Sequence, residues 1–177
     1  MTHGGPPPAF NGTVADEREV LEVCLGRLHV GAGQVVRSLT TSGSRDGANG
    51  ERMPSYLRGN LPGLGEETLA DFPARNRERH PVGPDFDLEG RMVCLDDEEV
   101  HHVFRDGEGW ERFRREFPRS DGTLRLSRVG GLGRGVTRAL IHAGQQFDWN
   151  VGSGGYRLFT RREGAWTEDA KVGAWLS

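Results

Sequence analysis

The pattern of apolar and polar positions changes character along the chain. From Thr13 to His29, Val20, Leu21, Cys24, Leu25 and Leu28 recur at three- and four-residue intervals, the spacing of one face of a helix. Asp16, Glu17 and Glu19 fall in its first turns, where the helix dipole favours negative charge. Gly31 and Gly33 stop this pattern, and Gln34 to Thr41 reads as a β-branched strand. Between Thr41 and Gly65 no period is sustained, so a long excursion or a lid is expected there. Glu66 to His80 reads as a helix through Leu69 and Phe72, with Pro73 expected to kink it or shift its start.

Arg91 to Leu95 is a short apolar strand. Asp96 and Glu99 then have the spacing of a capping box that opens a helix through Val100, Val103 and Phe104. Trp110, Phe113 and Phe117 mark one more short helix, ended by Pro118. After Asp121-Gly122 come four strand-like runs, Thr123 to Val129, Val136 to Ala143, Gly155 to Arg162 and Ala165 to Val172. Arg162-Glu163-Gly164 has the length of a hairpin turn, whereas Gly130 to Gly135 and Gly144 to Gly154 read as wider loops. The expected fold is α+β, with helices packed on a C-terminal four-stranded antiparallel sheet. Residues 1–12, rich in Gly and Pro, read as a disordered tail, and 13–177 as one domain.

The charge pattern adds an asymmetry within this domain. Residues 61–122 carry nine basic and sixteen acidic side chains, whereas residues 123–177 carry eight basic and four acidic. An acidic helical layer against a basic sheet accounts for it. All basic residues but Lys171 are arginines, which confines any lysine nucleophile to one position. Cys24 and Cys94 are too few for a disulfide framework and lack zinc-site spacing, so both are expected to be buried thiols. With no apolar run of membrane-spanning length and no signal-like opening, a reduced, cytoplasmic setting without membrane partners is expected.

The residues of the sheet region resemble a family of uncharacterised bacterial proteins. The resemblance is carried by Ser127-Arg128-Val129-Gly130, by Arg138-Ala139-Leu140-Ile141-His142, and by Gly152-Ser153-Gly154-Gly155-Tyr156 ahead of Arg157 to Thr160. Glu163-Gly164-Ala165-Trp166 and Trp175-Leu176-Ser177 complete it. It covers roughly the last two-thirds of the chain and implies a shared fold, but no reaction. The chain departs from the family pattern at Gln145 to Val151, where Phe147-Asp148-Trp149-Asn150 stands. The strand run is also similar to the sheets of cone-shaped NTF2-like domains.

Several constellations could carry chemistry. Asp97 with His101, and Glu98 with His102, stand four apart on a helix and could hold a metal from one face. First-turn acidic residues are equally explained by capping and dipole effects, and no His-Glu-x-x-His motif is present. Ser127, His142 and Asp148 are the residue types of a hydrolytic triad, but no nucleophile-elbow motif accompanies them. The glycine pairs lack the remainder of any phosphate-loop fingerprint, so no cofactor is indicated. Arg125, Arg128, Arg138, Arg157, Arg161 and Arg162 make the sheet basic, and with Trp149 and Tyr156 they could track nucleic acid. Exposed sheet arginines explain them more economically.

The reading that best fits is a non-enzymatic binding or interaction module for a small ligand or a protein. Its contacts are expected at Arg128, Arg138, His142, Asp148, Trp149 and Tyr156, with the loop from Gln145 to Gly155 folded over the half-polar strand face of Val136, Arg138, Leu140 and His142. The alternatives are a hydrolase using His142 and Asp148, or a metal at His101/His102, and a nucleic-acid binder.

Overall fold

A computed structural model of the chain describes residues 14–28, 30, 33–41, 53–82, 92–132 and 137–176. The expected tail over residues 1–12 lies outside them, as does Val136. In chain order the elements are α1 (Val14–Arg27), β1 (Gln34–Arg37), α2 (Met53–Asn60), α3 (Glu66–Arg75), β2 (Met92–Leu95), α4 (Asp97–Phe104), α5 (Gly109–Glu116), β3 (Thr123–Leu126), β4 (Arg138–Asp148), β5 (Val151–Arg162) and β6 (Ala165–Leu176).

The fold is mixed helix and sheet, and the sheet has six strands rather than four, ordered β2-β1-β3-β4-β5-β6. Strands β3 to β6 form the expected antiparallel meander. The two early strands, by contrast, join its edge in parallel: Val36 stands beside Cys94 of β2 on one side and Leu124 of β3 on the other. A parallel pair needs a long crossover, and the helices between β1 and β3 supply it.

The alternation of β4 assigns its two faces. Ala139, Ile141 and Ala143 pack with Val20, Leu21, Cys24 and Leu25 of α1, over Val36, Leu124, Leu126, Phe159 and Trp166. Leu140 points the other way, into Met53, Leu57 and Leu61 of the α2 region and Leu69 and Phe72 of α3. A third cluster joins Val35 and Leu95 to Val103, Trp110 and Phe113 of α4 and α5. Burying a leucine such as Leu21 or Leu140 completely contributes about 1.5–3 kcal/mol. Among the described residues, helices thus pack on both faces of the sheet.

Local chemistry explains most boundaries. Asp96 Oδ1 accepts from Glu99 N at 2.7 Å while Glu99 Oε2 accepts from Asp96 N at 2.8 Å, the reciprocal capping box expected from the sequence. The β5–β6 turn places Glu163 and Gly164 at φ 52° and 86°, the doubly left-handed turn that matches strand twist. α3 runs through Pro73 but stops at Arg75, short of the expected His80, because Asn76 turns its side-chain amide back to Phe72 O at 2.9 Å. The expected wide loop from Gly144 to Gly154 is instead the continuation of two strands, joined by a turn at Trp149-Asn150. Ladder pairing such as Gly144 with Gly154 supplies the order that glycine-rich sequence does not advertise.

Candidate functional site

The Ser127-Arg128-Val129-Gly130 segment is a junction between layers. Ser127 is fully buried; its hydroxyl donates to Arg128 O at 2.9 Å and accepts from His142 N at 2.8 Å. Asn76 Oδ1 accepts from Arg128 N at 2.7 Å, and Asn76 Nδ2 donates to Arg128 O at 3.0 Å. The Arg128 guanidinium meets the buried Glu17 of α1 through Nε at 2.7 Å and Nη2 at 2.5 Å. Arg75 reaches the same carboxylate at 3.2 Å and Val129 N donates to it at 3.0 Å. Burial raises the Glu17 pKa, but the Arg128 and Val129 hydrogen bonds and the charges of Arg75 and Arg128 outweigh it and hold the carboxyl below its ordinary value. Arg128 is thereby engaged in holding α1, α3 and the sheet together.

On the face opposite α1, His142 and Tyr156 are cross-strand partners whose half-buried rings lie 5.0 Å apart, edge to face. Tyr156 also meets Phe72 of α3 at 5.7 Å. Arg138 lies on the same face but beyond Leu140, whose side chain is buried under the helices, and its guanidinium packs against Gly63 in the α2–α3 turn. The structure thus brings His142 and Tyr156 together and sets Arg138 apart from them. The expected fold-over of residues 145–155 does not occur, since those residues are ladder strands and their turn.

Asp148 and Trp149 sit at the end of the β4–β5 hairpin. Asp148 Oδ2 accepts from Arg114 of α5 at 2.7 Å, and Asp148 Oδ1 accepts from Trp149 N at 2.7 Å. The Arg114 hydrogen bond, followed by the Trp149 N–H, holds the Asp148 carboxyl below the usual aspartate range. The Trp149 ring stands edge-on to Phe104 of α4 at 6.2 Å, yet 53% of the residue is exposed, as is 53% of Val151 just beyond the turn. A small, positioned apolar tip results, with an ion pair at its base.

The remaining constellations are dispersed. His142 and Asp148 lie six positions apart on one strand, a separation of roughly 20 Å. Ser127 is closed off by backbone partners, so the three do not assemble. Asp97 is held by Arg37 at 2.6 Å and Arg79 at 3.1 Å, with both carboxylate oxygens engaged, while His101 and His102 are exposed. Among the described residues no group of three His, Cys, Asp or Glu side chains is placed to hold a metal. The sheet arginines form no single stripe. Arg157 pairs with Glu168 at 2.6 Å, Arg161 with Asp16 at 3.0 Å and Arg162 with Asp169 at 3.0 Å. Cys24 is buried, which pushes its thiol up to about 12. Cys94, expected to be buried, is exposed, because β2 is an edge strand and this face of it lies at the margin of the α1 layer.

Sequence reasoning missed Glu17, Arg75 and Asn76 as a polar network, and Phe104 and Arg114 as the supports of Trp149. The first-turn position of Glu17 suggested only a dipole role. No helix among the described residues is long and apolar enough to cross a membrane. Comparison with protein-family models finds no match, and comparisons with curated proteins and with solved structures find none either.

Proposed function

We propose that this chain is a non-enzymatic interaction module that meets a protein partner through the tip of the β4–β5 hairpin. The observation that carries the reading is the half-exposed Trp149, fixed against Phe104 and above the Asp148–Arg114 pair. Tryptophan and arginine are the residues that most often dominate protein interfaces. Removing the rest of the indole from water contributes about 2–3 kcal/mol, from roughly 100 Å² at 25 cal/mol per Å². Because the ring is already held, little of that gain is lost to ordering it. Small ligands favour concave sites, whereas Trp149 and Val151 are exposed at a hairpin turn, so an apolar pocket on a protein is the occupant that fits.

The test is a photo-crosslinkable benzophenone residue placed at Val151 in the full chain and irradiated in cells. A discrete adduct that disappears with Trp149→Ala, and that the same group at Thr167 on β6 does not give, is expected. Identical adducts at both positions, or an adduct that survives Trp149→Ala, would contradict the reading.

A further inference from the structure

The first residue of α5 is a buried glycine, Gly109, and the helix backbone does not require one there. Its φ is not left-handed, and alanine would favour the helix more. What requires it is space. A Cβ at Gly109 would stand 3.0 Å from both Cα and Cδ1 of Phe104 and 3.2 Å from Cζ2 of the Trp149 indole. Gly107, two residues earlier, would have nothing within 4 Å of the same atom.

Of the two neighbours, Phe104 is the one held in place. Its ring lies 4.8 Å from that of Trp110 and 5.7 Å from that of Phe113. The backbone on both sides of it is gathered by Arg112, whose Nη1 donates to His102 O at 2.7 Å and to Val103 O and Arg105 O at 3.3 Å. The indole, by contrast, is half-exposed, sits at a hairpin turn and meets Phe104 edge-on. A methyl group at position 109 therefore moves the indole rather than Phe104, because an exposed ring gives way at less cost than packed backbone.

We propose that Gly109 is a positioning residue for Trp149: the missing side chain at the start of α5 leaves the room in which the indole settles beside Phe104. Its effect on binding rests on the hairpin tip being the proposed protein contact. The gap fixes the ring before a partner arrives. Filling it leaves the ring to be ordered on binding, at a cost of roughly two- to tenfold in affinity.

Fluorine NMR of the full chain labelled with 5-fluorotryptophan tests the placement, with the Trp149 line identified by its loss in Trp149→Phe. Gly109→Ala moves that line toward its position in the urea-unfolded chain, Gly107→Ala leaves it in place, and the line of the buried Trp166 stays put in both. Circular dichroism checks that each variant keeps its fold. Urea unfolding supplies a second measure: Gly109→Ala lowers stability less in a chain that also carries Trp149→Ala, since one of the crowded neighbours is gone. A Trp149 line unmoved by Gly109→Ala, or moved as far by Gly107→Ala, or a loss of stability independent of Trp149, would overturn the proposal. With the benzophenone residue at Val151, Gly109→Ala lowers the yield of the adduct by roughly two- to tenfold. A moved line with an undiminished adduct would overturn the role of the gap in binding. A native chain that gives no Trp149-dependent adduct contradicts the hairpin reading instead, while the line still decides whether Gly109 places the indole.

Discussion

Glu17 and Arg128, 111 positions apart in the chain, meet in a two-pronged ion pair, with Arg128 Nε and Nη2 donating to the two carboxylate oxygens at 2.7 and 2.5 Å. Because Arg75 of α3 donates to the same carboxylate, one buried side chain ties the helix on one face of the sheet to a helix on the other. Breaking such a pair from one side strands the remaining charges, at a cost of about 3–5 kcal/mol. Glu17→Gln should lower the stability by that amount in urea unfolding at neutral pH.

The same residue sets a pH dependence. Its folded-state pKa lies below the ordinary value of 4.5, so its contribution is complete above that value and declines as pH falls through the folded pKa. The stability difference between native chain and Glu17→Gln should therefore be constant from neutral pH down to about 4.5 and shrink below it. A difference that shrinks toward alkaline pH would contradict the assignment.

Gly130 lies against α3 so closely that a Cβ there would stand 2.6 Å from Phe72 Cα. Backbone cannot move aside as a side chain can, so Gly130→Ala should cost about 1–3 kcal/mol as an overpacked contact. Thermal unfolding of this variant, beside Gly164→Ala at the open hairpin turn, separates close packing from backbone strain. Nothing lies within 4 Å of a Cβ at Gly164, whose φ of 86° is the only penalty there.

The two thiols should differ sharply in reactivity. Cys94 is exposed, whereas Cys24 is buried and its thiol pushed up to about 12, so little thiolate forms at Cys24 near neutrality. Mass spectrometry after brief iodoacetamide treatment at mildly alkaline pH should find Cys94 modified and Cys24 modified only in denaturant.

Trp149 and Phe113 offer a contrast within one aromatic cluster. Phe113 is fully buried, and Phe113→Ala should cost about 3–5 kcal/mol. Trp149→Ala removes an edge contact to Phe104 from a half-exposed position and should cost about 1 kcal/mol. Urea midpoints of the two variants check the order; equal losses would mean that the indole serves the core.

The parts of the fold legible in the sequence are those with a local cause. The apolar stripe from Val20 to Leu28 marked α1, the Asp96/Glu99 spacing marked the start of α4, and Glu163-Gly164 marked the last hairpin. Long-range pairing was not written locally. Nothing near Gln34 or Met92 says that they run parallel to each other and extend a meander formed later in the chain. α2 has no local signature because Ser55 and Gly59 lower its helix propensity and its support is long-range, from the burial of Met53 and Leu57 against Leu140 and from the Tyr56 hydroxyl on Gly173 O. At the candidate site, Trp149 and Asp148 were recognised as residue types, but their supports on α4 and α5 required the fold. Arg128 looks like a ligand contact from its neighbours in the chain, because its carboxylate partner stands 111 residues away.

The most direct test of the interaction reading is fluorine NMR of the chain labelled with 5-fluorotryptophan, with the Trp149 line assigned by Trp149→Phe. In an extract of the cells that make the protein, the Trp149 line should shift or broaden while that of the buried Trp166 stays put, and excess unlabelled native chain, but not Trp149→Ala, should reverse the change. A Trp149 line unchanged in the extract, or a change that the Trp149→Ala chain reverses equally well, would contradict the account.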